Sequence, residues 1–275
     1  MQPQDYKEKE QMLIKGLSRF ESLVISFSGG VDSSYLLFMA CQILGSQNVI
    51  AVTADAPFFS RYETQYIEPI IKNLKVNHIY FDHQAMSCDI FIQNPPDRCY
   101  HCKKMIFKSI RQIAIKNNIK KIAQGSNLDD LKKYRPGLKA VKEFSIESPL
   151  VEARLSKHEI RLLAQKHELI NWNQPEMACL VTRIPYKETI SPKKLLMIDS
   201  AETFINQIGF PGSRVRFIDG TAKIEIIKDQ LASFFQGQYE DKIIRQLKKI
   251  GFKSVIIDPN GYQSGFDDDL YMTNA

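Results

Sequence analysis

Ser28-Gly29-Gly30-Val31-Asp32-Ser33-Ser34 joins an apolar run, Leu23 to Phe27, to a stretch with helical periodicity. Each residue type suits the binding of an anion. Gly29 and Gly30 let the backbone turn sharply and approach a phosphate with no Cβ in the way. The N–H groups at the start of the following helix point at such an anion, and the helix dipole adds positive potential. Ser28, Ser33 and Ser34 add hydroxyl donors. Asp32 would repel a bare phosphate, so it fits either through a Mg²⁺ ion or as an acceptor for an amide. A plain strand-turn-helix link would need the glycines alone and leaves the serines and Asp32 without a reason. The loop lacks the lysine of a Walker A motif and the spacing of a dinucleotide fingerprint.

Three further groups could carry chemistry. Gly125-Ser126-Asn127-Leu128-Asp129-Asp130 follows a short apolar run. It reads both as an Asx-rich turn and as a loop at the strand ends where ligands gather in open α/β sheets. Cys99 and Cys102 form a C-x-x-C behind the prolines Pro95 and Pro96, and Cys179 stands in Met177-Ala178-Cys179-Leu180-Val181-Thr182-Arg183. The C-x-x-C alone fits a redox pair or half of a zinc site, although no second C-x-x-C or spaced His pair completes one. With Cys179 it makes three thiolates, enough to hold a 4Fe–4S cluster with one iron left open. Cys41 and Cys88 have no such context and read as structural. Arg214 and Arg216 alternate at period two and so share a strand face, which suits a phosphate or makes a solvated basic strand.

The elements that must position these residues follow from periodicity. Leu23–Phe27, Val49–Thr53, His78–Phe81 and Lys121–Ala123 read as strands. Helical patterns run over Ser33–Leu44, about Arg61–Leu74, and Lys103–Asn117. The alternation predicts a doubly wound parallel α/β sheet. Ser156 with Glu159 is a capping box that starts another helix, and Ser191-Pro192 starts one that reaches Ile208. Beyond it the texture changes to a hairpin turning at Asp219-Gly220, a basic helix (Tyr239–Ile250) and a strand (Ser254–Ile257). The expected division is residues 1–187 for the nucleotide domain and 188–275 for a small α+β domain.

The chain has 275 residues, 44% hydrophobic and 25% charged, as befits a globular protein with a core. Its net charge of +6, from 37 basic and 31 acidic residues, suits an anionic ligand. No dense Lys/Arg stripe is present, so nucleic acid is not expected as a partner. The N-terminal stretch has no apolar signal segment and no run approaches a membrane span. Cysteines in a chain of this kind read as reduced thiols, and the expected location is cytoplasmic.

The S-G-G-x-D-S loop resembles the PP-loop of ATP pyrophosphatases. Taken with P-P-D-R-C-Y-H-C-K, G-S-N-x-D-D followed by Arg135-Pro136-Gly137, A-C-L-x-[ST]-R and Arg214-Val215-Arg216, it resembles the LarE family over nearly the whole chain. The resemblance implies an ATP-dependent sulfur transferase that adenylylates the carboxylates of a pyridinium dicarboxylate mononucleotide and converts them to thiocarboxylates, in nickel-pincer nucleotide cofactor biosynthesis. It implies ATP contacts from Ser26, Ser28, Gly29, Gly30, Asp32, Ser33, Ser34, Thr53, Gly125, Asp130 and Arg183, with Mg²⁺ at Asp32. Arg214 and Arg216 would take the substrate phosphate, and Glu202 aligns with a family site acid that could meet a metal. The residue matching Cys179 is the sulfur source in some members. Cys99 and Cys102 instead resemble members with three cysteines on a 4Fe–4S cluster. A trimer or hexamer is implied as well. Rival readings are a tRNA thiolase with a three-cysteine cluster, an ammonia-using ligase, and a nucleotide-binding regulator without catalysis.

Overall fold

The structure, a computed structural model, describes residues 5–175 and 178–262. Met177, from the string around Cys179, and residues 263–275 of the expected C-terminal domain lie outside the described residues. The chain forms two compact units. The first comprises the chain up to Ala56, Glu63–Ala85 and Asp97–Gln174; the second comprises Pro57–Tyr62, Met86–Pro96 and the chain from Pro175.

The first unit contains α1 (Asp5–Leu17), β1 (Leu23–Ser26), α2 (Val31–Leu44), β2 (Val49–Asp55), α3 (Ile67–Leu74), β3 (Asn77–Asp82), α4 (Arg98–Lys116), β4 (Ile122–Gln124), α5 (Gly137–Glu143) and α6 (Lys157–Lys166). Its strands are parallel in the order β3-β2-β1-β4. Successive residues of β1 and β2 point to opposite faces, and both faces are apolar, as expected of a parallel sheet covered on both sides. Leu23, Ile25, Val49 and Ala51 pack with Leu36, Leu37, Ile160 and Leu163 of α2 and α6. Val24, Ile50 and Val52 pack with Phe107 and Ile110 of α4. The doubly wound α/β class expected from the alternation is the one observed.

Two helices differ from their expected spans. α4 starts at Arg98 instead of Lys103, so Cys99 and Cys102 lie on it, and the other is the helix expected over Arg61–Leu74. The pattern over Arg61–Leu74 is broken into a single turn, Arg61–Thr64, and α3. Pro69 has no N–H to bond the carbonyl four residues back, so it fits only in the first turn of a helix beginning at Ile67.

The second unit contains α7 (Pro192–Gln207), β5 (Arg214–Ile218), β6 (Thr221–Glu225), α8 (Lys228–Gln236), α9 (Glu240–Ile250) and β7 (Ser254–Ile257). β5 and β6 form the antiparallel hairpin, and β7 adds in parallel to β6. Asp219 (φ 49°) and Gly220 (φ 83°) both have positive φ, the requirement of a two-residue turn whose twist matches the strands. Ser191 caps α7 by accepting from the Lys194 N–H.

Candidate functional site

The strand order reverses between β1 and β4, and the loops after these two strands carry the expected nucleotide residues. Gly29 has φ 82°, which favours glycine. Gly30 caps α2 without a side-chain acceptor, so no side chain competes at this helix start. Ser33 Oγ donates to the Gly30 carbonyl (2.9 Å) and lies 3.2 Å from Ser28 Oγ. Buried Asn171 supports the loop through Nδ2, which donates to the Gly29 carbonyl (2.8 Å) and Ser34 Oγ (2.9 Å). Gly125 is required for a different reason: a Cβ there would stand 2.8 Å from Ser33 N and 2.9 Å from Ser33 Cα. Backbone cannot yield as a flexible side chain would, so only glycine lets the β4 loop lie against the start of α2. Ser26 ends β1, in register with Val52 and Gln124. The Thr53 hydroxyl donates to the Phe27 carbonyl (2.9 Å) and meets His78 Nε2 at 2.8 Å.

Asp32 is the electrostatic centre of this region. Its Oδ2 accepts from Lys157 Nζ (2.8 Å) and Asn127 Nδ2 (3.2 Å). Its Oδ1 is buried and has no hydrogen-bond partner among the described residues. Burial raises the pKa of Asp32, while Lys157 and Asn127 act against that rise. A carboxylate oxygen with unused lone pairs is the donor a hard divalent cation takes, so the site fits Mg²⁺. Asn127 Oδ1 accepts from the N–H groups of Asp129 (2.9 Å) and Asp130 (3.2 Å), and Asp130 in turn accepts from the Asn127 N–H. Asp130 also pairs with Arg135 at 2.8 Å. Lys157, at the start of α6, donates its own N–H to Asp129 Oδ2 (2.9 Å).

Cys99 and Cys102 lie near the start of α4, three residues apart and therefore on one face. Cys99 is exposed and Cys102 half-buried, and both are thiols, as is Cys179. Cys102 Sγ lies 3.2 Å from Nε2 of buried His83, whose pKa burial pushes down to about 4. Lys103 donates to Gln124 Oε1 (2.9 Å) and runs across Gly137, where a Cβ would meet its Cδ at 2.8 Å. Burial and nearby Arg135 lower the Lys103 pKa. Lys157, Asn171 and His83 are not among the residues whose type and spacing point to chemistry, whereas Lys103 closes the P-P-D-R-C-Y-H-C-K string. The start of α6 is marked in the sequence by its capping box. Nothing local in the sequence marks Asn171 or His83, whose partners are set by packing.

In the second unit Cys179 precedes a single turn, Leu180–Arg183. Arg183 makes a buried two-pronged pair with Glu202, Nε to Oε1 at 2.8 Å and Nη2 to Oε2 at 3.0 Å. Burial opposes the guanidinium charge, but the Glu202 carboxylate prevails and raises the Arg183 pKa. Arg183 Nη1 donates to the Ala178 carbonyl (2.7 Å) and Thr182 Oγ1 (2.8 Å), which ties the Cys179 segment to α7. Glu202 also accepts from the Val215 N–H (3.0 Å). Arg214 is buried, donates to the Gly212 carbonyl (2.7 Å) and lies 5.0 Å over the Tyr262 ring. Burial and nearby Arg183 lower its pKa. Arg216 pairs with Glu225 at 2.7 Å. Among the described residues no group of three His, Cys, Asp or Glu side chains is arranged to hold a metal ion, and no helix is long and apolar enough to cross a membrane.

A parallel sheet whose first strand turns through this serine-glycine loop into a helix defines an ATP-dependent enzyme of the PP-loop class. Residues 9–121 match the NAD synthase family. Over 257 residues the chain is 34% identical to the pyridinium-3,5-bisthiocarboxylic acid mononucleotide synthase of Lactiplantibacillus plantarum, covering 94% of this chain and 92% of that protein. It is 32% identical over 259 residues to an uncharacterised protein of Synechocystis sp. (94% of this chain, 96% of that one). It is also 32% identical over 245 residues to an uncharacterised protein of Methanocaldococcus jannaschii (89% and 92%). The chain belongs to the LarE family of PP-loop sulfur transferases.

Proposed function

We propose that this protein uses ATP to adenylylate the carboxylates of a pyridinium dicarboxylate mononucleotide and replaces the activated oxygen with sulfur, giving thiocarboxylates. The observation that carries the reading is Asp32 at the start of α2, held by Lys157 and Asn127 with one buried oxygen unused. Asp32 would hold Mg²⁺, which would neutralise charge on the triphosphate. The chemistry follows from the reactivity of a carboxylate, which resists nucleophiles until its oxygen becomes part of a leaving group. Its oxygen attacks the α-phosphorus, pyrophosphate departs, and sulfur then attacks the acyl carbon and expels AMP. Holding the sulfur donor beside the activated carbon supplies much of the acceleration. Arg214 and Arg216 are the residues we assign to the substrate phosphate.

Cys99, Cys102 and Cys179 would hold a 4Fe–4S cluster. The C-x-x-C pair on one face of α4, with Cys179 as the third cysteine of the cluster-type pattern that the sequence resembles, supports this reading. The cluster would supply an iron without a protein ligand, at which hydrosulfide can be held.

The test is an anaerobic preparation given ATP, sulfide and the dicarboxylated mononucleotide. AMP and pyrophosphate should form together with thiocarboxylate, over several turnovers, and the protein should contain iron. Asp32→Ala should lower the rate sharply. ADP as the main product would sink the PP-loop chemistry. A protein without iron, transferring one sulfur per chain and leaving dehydroalanine at position 179, would instead make Cys179 the consumed donor.

A further inference from the structure

We infer that Lys157 is a phosphate-binding residue that stands on Asp32 in the nucleotide-free protein and transfers to the β- and γ-phosphates when Mg²⁺ and ATP arrive. The inference rests on the ATP-dependent reading above and assigns a specific lysine to the departing pyrophosphate.

The PP-loop contains no lysine, unlike a Walker A loop, so a cation for the pyrophosphate must come from elsewhere in the chain. Lys157 lies 125 residues beyond Asp32 in sequence, and its Nζ reaches Asp32 Oδ2 at 2.8 Å. Its backbone is fixed independently. The Lys157 N–H donates to Asp129 Oδ2 (2.9 Å), and the helix it begins is capped by Ser156 and Glu159. The main chain is therefore anchored while a flexible four-carbon stem carries the charge. Asn127 spans the same two places, donating Nδ2 to Asp32 and accepting at Oδ1 from Asp129 and Asp130. Start of α2, β4 loop and start of α6 are thus one hydrogen-bonded assembly within the first unit.

Asp32 would hold Mg²⁺ with the same carboxylate that Lys157 contacts, and the negative charge left for Lys157 would fall. Triphosphate oxygens arriving at the same loop offer the ammonium a stronger partner. As the substrate carboxylate oxygen bonds to the α-phosphorus, the bond from that phosphorus to the α,β-bridging oxygen breaks. The electron pair leaves with pyrophosphate, and Lys157 offsets the charge gathering there.

The experiment measures binding by calorimetry with the full-length protein, with and without Mg²⁺. The ligands are α,β-methylene-ATP, which cannot be cleaved at the reacting bond, inorganic pyrophosphate, and AMP. Lys157→Met should weaken α,β-methylene-ATP and pyrophosphate by about 10- to 100-fold, the cost of a lost charged hydrogen bond, and leave AMP within twofold. Lys157→Arg should recover a large part of the loss. Thermal melting of each variant without ligand checks that the fold is retained. Equal losses for AMP and α,β-methylene-ATP would make Lys157 structural and overturn the inference, as would unchanged binding of all three. If the native protein itself binds no α,β-methylene-ATP, the ATP reading fails first and takes this role with it.

Discussion

Arg183, Arg214 and Arg216 have the same chemistry and three different settings. Arg183 has its fork closed by Glu202, and removing one member of so buried a pair would leave the other charge uncompensated. Arg214 donates to the Gly212 and Ser213 carbonyls and lies over the Tyr262 ring. Arg216 pairs with Glu225 while half-buried. A phosphate at Arg216 would compete with Glu225 for the guanidinium. Replacing either by Ala should weaken the mononucleotide by about 1.5–3 kcal/mol, the value of a charged hydrogen bond. The corresponding nucleoside should bind poorly to the native protein and be indifferent to the change. Equal losses for nucleotide and nucleoside, measured by titration, would give both arginines a purely structural role.

Between elements, charge does work that apolar contact alone does not. Leu13 and Leu17 of α1 are buried in the same core as Ile160 and Leu163 of α6, and two glutamates tie the two segments together. Lys9 Nζ meets Glu159 at 2.7 Å, and Glu10 receives Lys166 (2.7 Å) and His167 (2.6 Å). Burial disfavours the Glu10 charge, but the hydrogen bonds from Lys166 and His167 outweigh it and lower the pKa below the ordinary value of 4.5. The unfolded chain then binds this proton more readily than the folded one. The stabilisation is complete above pH 4.5 and is lost as pH falls through the lower folded value. Glu10→Gln should cost about 2 kcal/mol at neutral pH, and its melting temperature should converge on that of the native protein at strongly acid pH. A gap between the two that stays constant down to acid pH would show that packing, and not the charge, is what Glu10 supplies.

At the scale of the molecule the chain passes between the units more than once. Pro57–Tyr62 and Met86–Pro96 belong to the second unit although both precede Asp97 in sequence. Their partners lie beyond Pro175. The Leu180 N–H donates to the Phe58 carbonyl, the Lys187 N–H to that of Asn94 and the Ile190 N–H to that of Ile92, each at 2.9 Å. Asn94 Nδ2 donates to the Pro185 carbonyl at 2.8 Å. A chain ending at Lys187, the expected boundary, would keep both segments and lose α7 and the β5–β6–β7 sheet. Such a truncation should be cut by protease within 57–62 and 86–96 far faster than the full chain. Equal resistance would mean that residues 1–187 fold on their own.

Much of this architecture is written in short stretches of sequence. The glycine-serine loop with its interior aspartate, the capping box at Ser156, the Ser191-Pro192 helix start and the Asp219-Gly220 turn depend on backbone angles and nearest neighbours. Periodicity alone predicts the parallel sheet, because apolar β1 and β2 must be covered on both faces. What the tertiary structure decided are the partnerships of side chains far apart in sequence. Lys157 reaches Asp32, Asn171 braces Gly29, His83 meets Cys102, and Glu202 closes on Arg183. None of these pairs has a local signature. A lysine at a helix start looks like any solvated lysine until packing sets what stands opposite it. Residues 57–62 and 86–96 were hidden for the same reason. Their membership is fixed by hydrogen bonds to chain beyond Pro175, which no window along the sequence contains.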